Sequence, residues 1–217
     1  MKKIGVLLSG CGVYDGTEIH EAVITLLALD RSGAEAVCMA PDIEQHHVVN
    51  HFDGEPTDEK RNVLVESARI VRGDIKDIKT VHSDDLDGLI LPGGHGTAKN
   101  LSNFAIMGKD TVINPDVVKI VRDMVKANKP VGASCIVPAL LSKILEDKNP
   151  EVTIGTDFGT IETIEDIGGI HFACSVDQIH IDQTNKLITT PAYMLGPGIK
   201  DVATGIEKMV AAVLKYA

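Results

Sequence analysis

The chain has 217 residues, enough for one domain with a sizeable core, and a single domain over residues 1–217 is expected. At 44% hydrophobic and 24% charged it has the composition of an ordinary soluble globular protein, and with 3% aromatics and no Trp its core must be aliphatic. The formal charge of −10 argues against nucleic acid and anionic membranes as partners, and no segment reaches the ~20 apolar residues of a membrane span.

In chain order, Lys3–Leu8 reads as a short buried strand closed by Gly10 and Gly12. Two lysines before it imitate a signal peptide, but the apolar run from Ile4 to Leu8 is too short for one. From Thr17 to Arg31, the spacing of Ile19, Ala22, Val23, Leu26, Leu27 and Leu29 predicts a helix ending at Gly33. Ala36–Ala40 is a second strand, stopped by Pro41. Residues 42–58, with three histidines, Asp53-Gly54 and Pro56, read as irregular or as a small hairpin.

Thr57 is placed to cap a helix running to Val71. Leu86–Leu91 is a strand ended by Pro92-Gly93-Gly94, and Pro115 and Asp116 suit the start of a helix over Val117–Ala127. Lys129–Ser134 is a strand and Val137–Leu145 a helix. Short strands follow at Val152–Ile154 and Phe172–Cys174, then a hairpin of Gln178–Asp182 and Lys186–Thr190, then a helix from Pro197 to Lys215. Continuously apolar strands alternating with helices predict a mainly parallel sheet covered on both faces, a flavodoxin-like doubly wound α/β fold. Ligands of such sheets collect at the carboxyl ends of the strands.

Three loops fall at those ends: Ser9–Gly16 leading into Thr17–Glu21, Pro92–Gly96, and Ser134–Pro138. Cys135 stands directly between a strand and a helix. Unpaired N–H groups at the helix start would favour its thiolate, and Gly132-Ala133-Ser134 leaves room for a tight turn. The full G-x-S-x-G elbow is absent, because Val137 stands two residues after Cys135. The bland alternative is a small buried cysteine.

Gly93 and Gly94 are either a plain turn or, with the Ile136 amide, an oxyanion hole. Glu18 and Glu21 lie one turn apart on one helix face. Glu18 reads as a partner of the helix dipole, and Glu21, deeper among apolar neighbours, as a buried acid able to donate to sulfur. His95 lies within the glycine loop, where it can touch a ligand. His171 and His180 are candidate bases for Cys135. His46, His47 and His51 lack convincing metal-pair spacing. The four cysteines make no CxxC pair, so neither a zinc cage nor a disulfide framework is expected, and a reducing, cytoplasmic location is.

The segments SGCGVYDGTEIHEA, LPGGHGTAKNLSNFA, GASCIVPA, TIGTD and TTPAYML resemble the enhancing-lycopene-biosynthesis type of glyoxalase, within the class I glutamine amidotransferase-like superfamily of protein deglycases and intracellular proteases. The likeness spans Lys3 to Val213. It implies a flavodoxin-like sandwich, Cys135 as nucleophile, Glu21 (or, second, Glu18) approaching its sulfur, and Gly93, Gly94 and Ile136 as amide donors. It also implies a cofactor-free conversion of the small aldehyde glyoxal to glycolate and a link to isoprenoid biosynthesis. No metal is expected, and a homodimer is. Amidotransferase and protease relatives carry a histidine directly after the cysteine or near it. Here Ile136 follows Cys135, which argues against protease and glutaminase activity and leaves His171 as the candidate base. The alternatives are a redox-sensing or partner-binding protein with an oxidisable Cys135, and a flavin or nucleotide binder, which the absence of G-x-G-x-x-G makes poor.

Overall fold

In a computed structural model describing residues 1–217, the first apolar run forms β1 (Lys3–Leu7), whose alternate side chains serve opposite faces of a sheet. Ile4, Val6 and Leu8 enter one core, while Leu7 enters the other. The chain continues through α1 (Ile19–Arg31), β2 (Glu35–Ala40), the hairpin of β3 (Val48–Val49) and β4 (Pro56–Thr57), α2 (Val63–Ile70) and β5 (Lys76–Asp77). Next come β6 (Gly88–Leu91), α3 (His95–Asn100), α4 (Phe104–Met107), α5 (Pro115–Lys126), β7 (Val131–Ser134) and α6 (Val137–Ile144). The last elements are β8 (Glu151–Val152), α7 (Phe158–Asp166), β9 (Ile170–His171), β10 (His180–Asp182), β11 (Leu187–Thr190) and α8 (Ile199–Tyr216).

Seven strands form one sheet in the order β10-β11-β7-β6-β1-β2-β5, and only the β10–β11 pair is antiparallel. Helices α1, α2 and α8 cover one face through Ala22, Leu29, Val63, Ile206 and Val213. Helices α3 to α7 cover the other through Ala98, Phe104, Val121, Leu140 and Ile164. This is the flavodoxin-like three-layer α/β/α sandwich. The strand order reverses between β1 and β6, so a crevice opens above their carboxyl ends.

The expected helix beginning at Thr57 is not formed. Pro56-Thr57 pairs with Val48-Val49 instead, and Asn62 caps a shorter helix by accepting from the Val65 N–H at 3.0 Å. Asn is among the strongest helix caps, so the later residue prevails. The strand expected at Phe172–Cys174 lies two residues earlier, at Ile170–His171, where it pairs in parallel with β8 outside the main sheet.

Candidate active site

Strands β1, β6, β7 and β11 are neighbours and run the same way, so the loops leaving them meet at one end of the sheet. Cys135 occupies the exit of β7. Its φ of +59° is a region that non-glycine residues rarely adopt, and its N–H donates to the Thr190 carbonyl at 3.1 Å on the exit of β11. A strand-to-helix elbow therefore forms with Ala133 and Val137 where the sequence motif has glycines. The side chain is buried, and the Ile136 and Gly94 N–H groups act on its sulfur.

Burial nevertheless wins. It pushes the Cys135 thiol well above the ordinary thiol range, and the charge of Glu21 pushes it further, while the two amides only partly oppose them. Burial and the Glu21 charge thus work against the thiolate that the helix-end amides favour. Burial also raises Cys11, Cys38 and Cys174.

Glu21, in the first turn of α1, is fully buried. Its Oε2 accepts from the Ser134 hydroxyl at 2.5 Å and the Gly93 N–H at 2.9 Å, and Oε1 accepts from the Tyr193 N–H at 3.4 Å. Removal from water raises its carboxyl to about 7 despite these donors, with Glu18 adding repulsion. No hydrogen bond joins its carboxyl to sulfur; the two groups flank one small space above Gly93. Glu18 is the cap of α1, its Oε2 accepting from the Glu21 N–H at 2.7 Å, while its own N–H donates to the Gly93 carbonyl at 2.8 Å.

The two glycines divide their work. The Gly93 N–H is taken by Glu21 and by Ser134 Oγ (3.2 Å), so it is not a free oxyanion donor, and the expectation that it was one is corrected. Gly94, at φ +115°, allows the loops after β1 and β6 to pack backbone to backbone; a Cβ there would strike the Glu18 N–H and the Gly16 carbonyl. A Cβ on Gly93 would instead collide with Cys135 Cβ and lie 2.9 Å from Glu21 Oε2 and 3.1 Å from Cys135 Sγ. Gly93→Ala therefore places a methyl group between acid and thiol. It is expected to lower turnover at least ~10²-fold, the effect of ~1 Å misplacement of reacting groups. Steady-state assays beside a thermal melt of the variant check this.

The structure does not bring His171 to Cys135. Its Nε2 accepts from the Ile154 N–H at 3.3 Å in the β8–β9 sheet, and burial lowers its titration, with Glu165 opposing and His180 adding to the shift. His180 bonds Glu151 at 3.0 Å and stacks on Phe172. His95, at the start of α3, lies exposed beside Gly94, and its ring meets Tyr14 edge-on at 6.3 Å. Of the other histidines, His47 meets Lys99 Nζ at 3.2 Å, His51 stacks on Tyr14, and His46 adjoins His47.

Ser134 and Tyr193 escaped notice in the sequence, although both lie inside motifs that stood out. Ser134 immediately precedes the cysteine. Tyr193 follows β11, whose exit meets Cys135 only because the sheet places β11 beside β7.

Residues 10–156 match the model of the DJ-1/PfpI family. A human glutamine amidotransferase-like class 1 domain-containing protein 3 is 44% identical over 223 residues, covering 98% of this chain and 82% of that one. The crystal structure of an isoprenoid biosynthesis protein with an amidotransferase-like domain from Ehrlichia chaffeensis superposes with a TM-score of 0.94. It is 39% identical and covers 100% of this chain and 99% of that one. Glyoxalase III of Candida albicans shares the fold alone, with a TM-score of 0.62, 17% identity and coverage of 98% and 97%. The human relative is a mitochondrial protein, as are the rat and zebrafish ES1 relatives, which overturns the expected cytoplasmic location.

Proposed function

This chain belongs to the DJ-1/PfpI family, and from that premise we propose that it is a glyoxalase converting glyoxal to glycolate through Cys135. The observation carrying this reading is the buried pair: Glu21, with a carboxyl titrating at about 7, beside the Cys135 thiol with the Gly94 and Ile136 amides turned to its sulfur. Near neutral pH such a carboxyl is partly ionised and can take a proton that a neutral thiol must lose.

Sulfur adds to one aldehyde carbon as Glu21 accepts the thiol proton. The oxygen of the resulting hemithioacetal is stabilised by the Gly94 and Ile136 N–H groups. Glu21 passes the thiol proton to that oxygen and, ionised again, takes the proton on the carbon, while protonation of the far carbonyl oxygen completes an enediol. Glu21 returns its proton to the far carbon as the hydroxyl proton of the first carbon leaves to water, giving the thioester of glycolate. Water cleaves it, returning the thiol, so that one carbon of glyoxal is oxidised and the other reduced without an external redox partner.

Burial of the Cys135 side chain weighs against the oxidisable-thiol reading, since oxidation follows exposure as well as thiolate character. The test is incubation of chelator-stripped protein with ¹³C-labelled glyoxal in the absence of glutathione, followed by NMR. Glycolate is expected; its absence refutes the reading.

A further inference from the structure

Protonation of the far carbonyl oxygen needs a donor: Cys135 is bonded to the substrate at this stage and Glu21 is occupied with the carbon proton. His171, the histidine expected to help, is engaged with Ile154. Another histidine, His20, sits one residue before Glu21 on α1. Its Nδ1 lies 2.7 Å from the Tyr193 hydroxyl and 3.9 Å from Glu18 Oε1, and its ring is half exposed to solvent.

Tyr193 is held from three sides. Its N–H reaches Glu21, its hydroxyl reaches His20, and the residue before it, Ala192, is fully buried at φ +44°. A buried alanine in the left-handed region carries strain that the surrounding packing must sustain. The turn after β11 is therefore bent in the same sense as the elbow at Cys135, on the adjacent strand. That bend keeps Tyr193 over the Glu18–Glu21 end of α1. Burial and both glutamate charges hold its phenol above the ordinary range, so it keeps its proton until a substrate oxygen demands it.

We propose that Tyr193 is the acid that protonates the far carbonyl oxygen, and that His20 restores its proton from solvent. This rests on the glyoxalase reading above. As the enediol forms, the phenol O–H bond breaks and a new O–H bond forms on the substrate. The phenolate then takes the proton from His20 Nδ1, and the exposed ring regains one from water. One proton enters from solvent to the far oxygen and one leaves to water from the hydroxyl of the first carbon as the thioester forms, with no electron exchanged.

The test measures wild type, Tyr193→Phe, His20→Ala and His20→Gln for glycolate formation, with and without added imidazole. Tyr193→Phe is expected to lower kcat ~10²-fold or more with little change in KM, the scale of a lost general acid. His20→Ala is expected to fall similarly and to recover with rising imidazole, which can reach the exposed position; His20→Gln keeps a hydrogen-bond partner for the phenol but stays slow. Full activity in either Tyr193→Phe or His20→Ala overturns the relay. A loss that Gln repairs and imidazole does not also overturns it, leaving His20 a packing role. A wild-type protein that makes no glycolate fails the glyoxalase reading itself, and the relay falls with it.

Discussion

Cys135→Ala is expected to abolish glycolate formation while leaving the fold intact. The substitution removes one sulfur atom and keeps Cβ, so the packing around the elbow changes little. Alanine carries the same burden at φ +59° as cysteine does. The reaction, in contrast, loses its covalent route. Glu21 and the Gly94 and Ile136 amides remain, but they have no nucleophile to deprotonate and no adduct oxygen to hold. Loss of a covalent nucleophile leaves only binding and electrostatics, so a fall of more than ~10³-fold in kcat is expected, with an unchanged melting transition. Glycolate made at an undiminished rate by this variant, measured by the same NMR assay, would refute the cysteine mechanism.

The convergence of the three loops was legible in the sequence because it follows from local pattern alone. Continuous apolar runs such as Leu86–Leu91 make buried parallel strands, and every such strand delivers its exit loop to one end of the sheet. Glu21 was legible for a related reason: helical spacing put it among Ala22, Val23 and Leu26, of which the fold buries Ala22 fully and leaves Val23 exposed. The properties that depend on three-dimensional packing were not legible. The sign of the Cys135 shift turns on how completely the elbow is sealed, and no spacing rule reports that. Gly93 looked like a free donor because the Ser134 and Glu21 acceptors come from elements 41 and 72 residues away. Tyr193 and His20 are 173 residues apart and meet only through the placement of β11 beside β7. Thr57 and Asn62 are both residues that cap helices, and the hairpin with Val48-Val49 takes Thr57 and leaves the cap to Asn62.

Glu21→Gln separates the role of this acid in catalysis from its effect on stability, because the two respond to pH in opposite senses. The wild-type carboxyl rises from an ordinary 4.5 in the unfolded chain to about 7 in the fold. The native protein therefore holds this proton more tightly than the unfolded chain does. The fold is favoured fully below pH ~4.5; stability falls as pH rises through ~4.5 to ~7, and the loss is complete above that, at about 3 kcal/mol. Glutamine cannot ionise, so the variant's stability is expected to lack this decline, read by denaturant titrations at pH 5 and pH 8. Turnover should show the reverse. In wild type it rises with pH through about 7, as the carboxylate needed to accept the thiol proton appears. In the variant kcat falls ~10²–10⁴-fold and that rise is absent. The thiol itself supplies a third readout. Since the Glu21 charge helps to push Cys135 upward, its removal should move iodoacetamide alkylation of Cys135 to lower pH even as catalysis is lost. A variant slower in turnover yet easier to alkylate identifies Glu21 as the base; one slowed equally in both would make it a packing residue.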